Sequence, residues 1–183
     1  MASRRFRPAD GAKGAALLRG YRIVVVASSV GAVVEAAGGF LCDRARAGWG
    51  VSVQFADACD ARPLAILGVA GRHVAGPDVG SMVRELPQAT TVLLDADLVD
   101  RDPDARDALA RAARQACGAV RIWGRPAQAE VGTGLVEVRH EMSPAAMAFK
   151  VQALRAAGRA GIAAPVEALY QVRGESYRRL YSV

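Results

Sequence analysis

Apolar positions along this chain follow two rhythms. Residues 23–27 read Ile-Val-Val-Val-Ala with no polar interruption. An unbroken β-branched run of that length suits a strand covered on both faces, as in a parallel sheet. From Val30 to Ala47 the rhythm changes. Val33, Val34, Ala37, Phe40, Leu41 and Ala45 recur at three and four residues, so one helix face is apolar. Gly48 is placed to stop that helix. Gly38-Gly39 inside it costs about 1 kcal/mol per glycine relative to alanine; the pair predicts either close packing on the sheet or a kink. Val51, Val53 and Phe55 then alternate with Ser52 and Gln54, the signature of a strand with one more polar face.

The later chain repeats this alternation. Asp10 to Arg19 predicts a short helix with Leu17 and Leu18 inward. Leu64 to Gly68 predicts a helical turn, and His73-Val74 a short third strand. Asp78 caps a helix running to Leu86, with Val79, Met82 and Val83 on one face. Thr90 to Leu94 is a second buried strand, ending in Asp95-Ala-Asp97. A helix then opens at Asp102 or Asp104, with Pro103 in its first turn, and runs to about Cys117. Ala119 to Trp123 and Leu135 to Val138 are further strands. Ser143-Pro144 starts a helix that carries Met147, Val151 and Leu154 on one face and ends near Gly158. Residues 159–164 read as a linker, and Pro165 to Gln171 as a further short helix. The pattern predicts an α/β fold: a three-layer, Rossmann-like sandwich with a mainly parallel sheet of about five strands. Residues 1–20 form a basic N-terminal extension, 21–158 the Rossmann-like domain and 159–183 a C-terminal extension.

Composition narrows the classes. The chain has 183 residues, enough for one domain with a proper core. Although 52% of residues are hydrophobic, no run approaches the roughly 18 uninterrupted apolar residues of a membrane span. The start, Met-Ala-Ser-Arg-Arg-Phe-Arg-Pro, lacks the apolar segment of a secretory signal, so a cytoplasmic protein is expected. Cys42, Cys59 and Cys117 form neither a Cys-x-x-Cys nor a zinc spacing and are expected as reduced thiols. The net charge of +6 is concentrated at the ends. Arg4, Arg5, Arg7, Lys13, Arg19 and Arg22 face one acid, Asp10, and Arg173, Arg178 and Arg179 face Glu175. Such ends either solubilise the chain or attract a polyanion such as nucleic acid.

Candidate chemistry gathers where the strands end. In open α/β sheets ligands bind beyond the carboxyl ends of the strands, at the point where strand order reverses. A helix N-terminus there offers free N–H groups to an anion. Ser28, Ser29, Val30 and Gly31 follow the first strand, Asp95 and Asp97 a second, and Trp123 and Gly124 a third. These are the expected ligand-binding residues, with Arg125 as an anion clamp. Two carboxylates two residues apart suit a divalent cation or a general base, but aspartates at such a position more often cap a turn, so neither a metal site nor a catalytic residue is assigned. His73 and His140 are expected in surface or structural roles. No Gly-x-Gly-x-x-Gly, phosphate-loop or Gly-x-Ser-x-Gly motif is present, and the cofactor is left unassigned.

The run Ile23 to Val53, with its apolar strand, Ala/Gly-rich helix and second strand after Ala47-Gly48, resembles the opening of the deacetylases that act on N-acetylglucosaminyl lipids and thiols. That resemblance implies a Rossmann-like crossover. The family's zinc-binding His-Pro-x-Asp-Asp is replaced here by Ser28-Ser29-Val30-Gly31-Ala32, so its catalysis does not carry over. The leading expectation is a regulatory or non-catalytic protein that binds an anionic small molecule or a protein partner, a second copy of itself included. Two alternatives stand beside it. One is an enzyme acting on a nucleotide or sugar-type substrate at the strand-end crevice. The other is an assembly or nucleic-acid-associated protein using its Arg-rich ends.

Overall fold

The computed structural model describes residues 21–57, 59–74, 90–104, 106–107, 120–124 and 135–172. In chain order its elements are β1 (Arg22–Ala27), α1 (Val30–Arg46), β2 (Gly50–Phe55), α2 (Arg62–Ile66), β3 (Ala70–His73), β4 (Thr90–Asp95), α3 (Ala96–Arg101), β5 (Val120–Trp123), β6 (Leu135–Glu141), α4 (Pro144–Ala156) and β7 (Val166–Val172). The helices expected over Asp10–Arg19 and Asp78–Leu86 lie outside the described residues. So does most of the one expected after Asp102.

The sheet has seven strands in the order β3-β2-β1-β4-β5-β7-β6, a correction to the expected count of about five. Strands β3, β2, β1, β4 and β5 are parallel neighbours. β7 runs antiparallel to both β5 and β6. The largest departure from expectation is β7 itself, read from sequence as a short helix. In the strand, Glu167, Leu169 and Gln171 alternate with Val166, Ala168, Tyr170 and Val172. The period is two, but Glu167 disguises it by standing at a buried position, where it is only 4% exposed. Edge strand β3, Ala-Gly-Arg-His, is exposed throughout and carries no apolar alternation to announce it.

Each face of the sheet has its own core. Ile23, Val25 and Ala27 of β1 pack with Val33, Val34, Ala37, Phe40 and Leu41 of α1, and with Leu64, Ala153, Leu154 and Leu169. Val26 points the other way, to Val92, Leu94, Ala96, Val99, Val120 and Ile122. β1 is therefore covered on both faces, as its unbroken apolar run requires. Ser29 caps α1, accepting from the Ala32 N–H, and Ser143 caps α4, accepting from the Ala146 N–H, with Pro144 in the first turn. Among the described residues no helix is long and apolar enough to cross a membrane.

Candidate functional site

From β1 the chain moves outward through β2 to β3, then returns to the other side of β1 to lay down β4 and β5. Strand order thus reverses between β1 and β4. There the chain leaves β1 at Ser28 and ends β4 at Asp95. Asp95 is 5% exposed. Its Oδ2 accepts from the Ser28 hydroxyl at 2.7 Å and from the Ser28 N–H at 3.3 Å. Its Oδ1 accepts from the Asp97 N–H at 3.1 Å and so caps α3. One carboxylate thereby ties together the ends of the two strands flanking the switch point.

The other expected residues separate into groups. Ser29 spends its side chain on the α1 cap. Val30 is buried in the core. Asp97 does not join Asp95 as a second carboxylate: its side chain is exposed and lies 3.9 Å from Arg101, one turn further along α3. Trp123 is Asp95's register partner across β4 and β5, and its ring is buried on the α1 side. Gly124 holds φ at +84° against α3, where a Cβ would come within 3.3 Å of the Ala96 Cβ. That conformation and that approach both favour glycine. Arg125 lies outside the described residues.

Gly31 brings in a residue that sequence reading assigned to a linker. A Cβ at Gly31 would lie 2.8 Å from Arg159 Nε, so the Arg159 guanidinium rests on the first turn of α1. It is held there by Glu35, to which it donates. Gly158, with φ +69°, turns the chain at the end of α4 and the Arg159 N–H returns to the Leu154 carbonyl. Nothing in residues 159–164 alone marks Arg159; its signal is Glu35, the one acid in the first two turns of α1.

A second polar cluster joins α1, β6 and α4. Asp43 Oδ1 accepts from the Ser143 hydroxyl at 2.5 Å, and Oδ2 from His140 Nε2 at 2.9 Å and the Ser143 N–H at 3.1 Å. Burial pushes the Asp43 carboxyl upward, but the hydrogen bonds from Ser143 and His140 outweigh it and hold the group below its ordinary value. Ser, His and Asp are all present, yet the serine donates to the aspartate and not to the imidazole. This is a clamp between elements, with no base positioned to activate a nucleophile.

Several solved structures that superpose on this chain are deacetylases. A teicoplanin-bound deacetylase of the teicoplanin biosynthesis pathway aligns over 85% of this chain and 99% of its own, with a TM-score of 0.57 and 17% identity. The zinc-inhibited form of teicoplanin deacetylase gives a TM-score of 0.56 at 16% identity, over 84% and 99% of the two chains. The A40926 pseudoaglycone deacetylase gives 0.52 at 20% identity, over 73% and 80%. No protein-family profile and no curated protein matches the sequence. At such identities the likeness is one of fold. It overturns the expectation of a regulatory, non-catalytic binding module, because the architecture is one that deacetylases use.

Zinc, which the resemblance at Ile23 to Val53 brings to mind, does not fit the donors present. Among the described residues no three His, Cys, Asp or Glu side chains converge. At the switch point Asp95 is a lone carboxylate, with both oxygens already accepting from Ser28 and Asp97. Ser28 and Ser29 are poor zinc ligands beside histidine, cysteine and carboxylate.

Proposed function

We propose that this protein is a hydrolase-type enzyme acting on an N-acylated, sugar-type substrate at the carboxyl edge of β1 and β4. The observation that carries the reading is the 2.7 Å contact between the Ser28 hydroxyl and the Asp95 carboxylate at the point of strand reversal. In open α/β sheets that is where ligands sit. The deacetylase folds that superpose on most of the chain supply the reaction class.

The chemistry asked of each residue is limited. Asp95 holds the Ser28 hydroxyl by its proton, which leaves the serine lone pairs free to accept from a substrate hydroxyl or amide. Oδ1 of the same carboxylate, which accepts only from the Asp97 N–H, keeps a lone pair for the proton of a water attacking the acyl carbon. The carbon–oxygen bond forms, the carbon–nitrogen bond breaks, and the departing amine takes that proton back. A carboxylate base in this role contributes about 10²–10⁴-fold. Arg159, on the first turn of α1, and the free N–H groups of that turn are assigned to the oxyanion that develops.

The test is release of free acetate and amine from N-acetylglucosaminides, measured for the wild type and for Asp95→Asn. Turnover in the wild type, reduced about 10²-fold or more in the variant, is expected. Turnover unchanged by Asp95→Asn overturns the assignment of Asp95. Absence of both turnover and saturable binding across such substrates overturns the reading as a whole.

A further inference from the structure

Away from the switch point, α1 carries an arrangement that the proposed reaction does not use. Phe40 and Arg44 stand one turn apart on the same face of the helix. The Arg44 guanidinium carbon lies 5.2 Å from the Phe40 ring centroid and 5.1 Å from that of Trp49. From the sheet below, Arg121 of β5 reaches the same ring, its guanidinium carbon 5.3 Å from the Phe40 centroid. Two guanidinium groups therefore share one aromatic platform.

Among the described residues neither has an acid to answer it. Among the described residues Arg44 and Arg121 have no hydrogen-bond or ion-pair partner. Arg121 Nε is wholly shielded from solvent and unpaired, a condition that folded proteins seldom leave unmet. The nearby carboxylates are committed elsewhere: Asp43 to His140 and Ser143, and Glu167 to Lys150 and the Gly39 and Phe40 N–H groups. Burial, and after it the like charge of Arg44, hold Arg121 below its ordinary pKa. Two like charges brought together with a buried donor unpaired make a site short of one anion.

We infer that Arg44 and Arg121 form a binding site for a phosphate-type oxyanion between the last turns of α1 and strand β5. The planar guanidinium fork matches such an anion with paired N–H donors. Trp49 and Tyr21, stacked at 5.0 Å, continue the aromatic surface outward from Arg44, and Tyr21 is 51% exposed. A phosphate carried on a nucleoside therefore has a ring surface beside it, whereas inorganic phosphate uses the arginines alone. Ser29 and Arg44 lie at opposite ends of α1, about 20 Å apart along its axis, so the site is independent of the Ser28–Asp95 edge.

The experiment is calorimetric titration of the full chain with inorganic phosphate and, separately, with adenosine monophosphate. One-site binding of phosphate is expected, weakened roughly 10- to 100-fold by Arg44→Gln, lost in Arg44→Gln/Arg121→Met, and unchanged by Ser28→Ala and by Arg62→Gln. Arg44→Gln alters a half-exposed side chain, so its effect reads binding even where the double variant folds poorly. Equal affinity for the two probes assigns a free oxyanion. Tighter binding of the nucleotide, reduced by Tyr21→Ala, assigns a nucleotide. Absence of phosphate binding in the wild type, or binding that survives Arg44→Gln undiminished, overturns the proposal.

Discussion

Lys150 and Glu167 form an ion pair of 2.6 Å with both side chains almost wholly buried, and the pair grips both ends of one turn of α1. Lys150 Nζ donates to the Glu35 carbonyl at 2.7 Å. Glu167 Oε1 accepts from the Gly39 N–H at 2.8 Å, and Oε2 from the Phe40 N–H at 2.7 Å. Glu35 and Gly39 are i and i+4, the two ends of a single helical rung. The helix is thus held from outside at Gly38-Gly39, where its own propensity is weakest. Breaking a buried pair strands a charge, so Lys150→Met is expected to cost about 3–5 kcal/mol. Lys150→Met/Glu167→Gln is expected to cost less than the single change, since no charge is left behind. Urea midpoints at constant slope measure both; a single variant no less stable than the double one overturns the account.

Gly39 has a second role. A Cβ there would overlap Met142 Sδ and Cγ, so α1 lies directly on the start of α4 and the end of β6. Gly39→Ala is expected to destabilise by about 1–3 kcal/mol through overpacking, despite alanine's better helix propensity. Met142→Ala opens the space. The double variant is then expected to be more stable than the sum of the two single changes predicts, by a coupling of about 1 kcal/mol or more. Additive effects in a double-mutant cycle would show that the overlap is not the cause.

Much of this architecture was legible because local pattern and tertiary environment agree. β1 is unbroken and covered on both faces, α1 keeps a helical period and a serine cap, and Ser143-Pro144 opens α4 as expected. The misreading of β7 came from Glu167, whose burial depends on Lys150 and on two amide groups of α1, more than 120 positions away in sequence. At the switch point Ser28 and Asp95 were named from their places after strands. That they touch follows from β1 and β4 being neighbours, which no local pattern fixes. Arg159 was missed for the same reason: its partner Glu35 is 124 positions distant.

Asp43 makes the stability depend on acid. Its folded pKa lies below the ordinary 3.8, since the Ser143 and His140 hydrogen bonds outweigh the burial that pushes it up. A carboxyl so depressed contributes stability that is present above its unfolded value and is lost as pH falls through its folded one. Stability is therefore expected to hold from pH 7 down to about 5 as far as this group is concerned, and to decline below about 4. Asp43→Asn removes the titrating group and is expected to lower stability at pH 7 while flattening the decline below pH 4. Urea unfolding at pH 7, 5 and 3 on both proteins is the measurement; parallel acid slopes would acquit Asp43.

Asp95 has two tasks that substitution can separate. As the cap of α3 it accepts from the Asp97 N–H, and as the partner of Ser28 it joins β4 to β1. Asparagine caps a helix about as well as aspartate and still offers an oxygen to Ser28, but it cannot take a proton. Asp95→Asn is therefore expected to stay within about 1 kcal/mol of the wild type while losing turnover. Asp95→Ala removes the cap and the strand tie together and is expected to lose a further 1–2 kcal/mol or so. Ser29→Ala, which takes the cap from α1 and leaves the carboxylate in place, is expected to cost about 1 kcal/mol and to spare most of the turnover. Denaturation and acetate-release assays on the same preparations distinguish the cases. If activity follows stability across all three variants, Asp95 serves the fold alone; if Asp95→Asn is stable and inactive, the carboxylate is chemical.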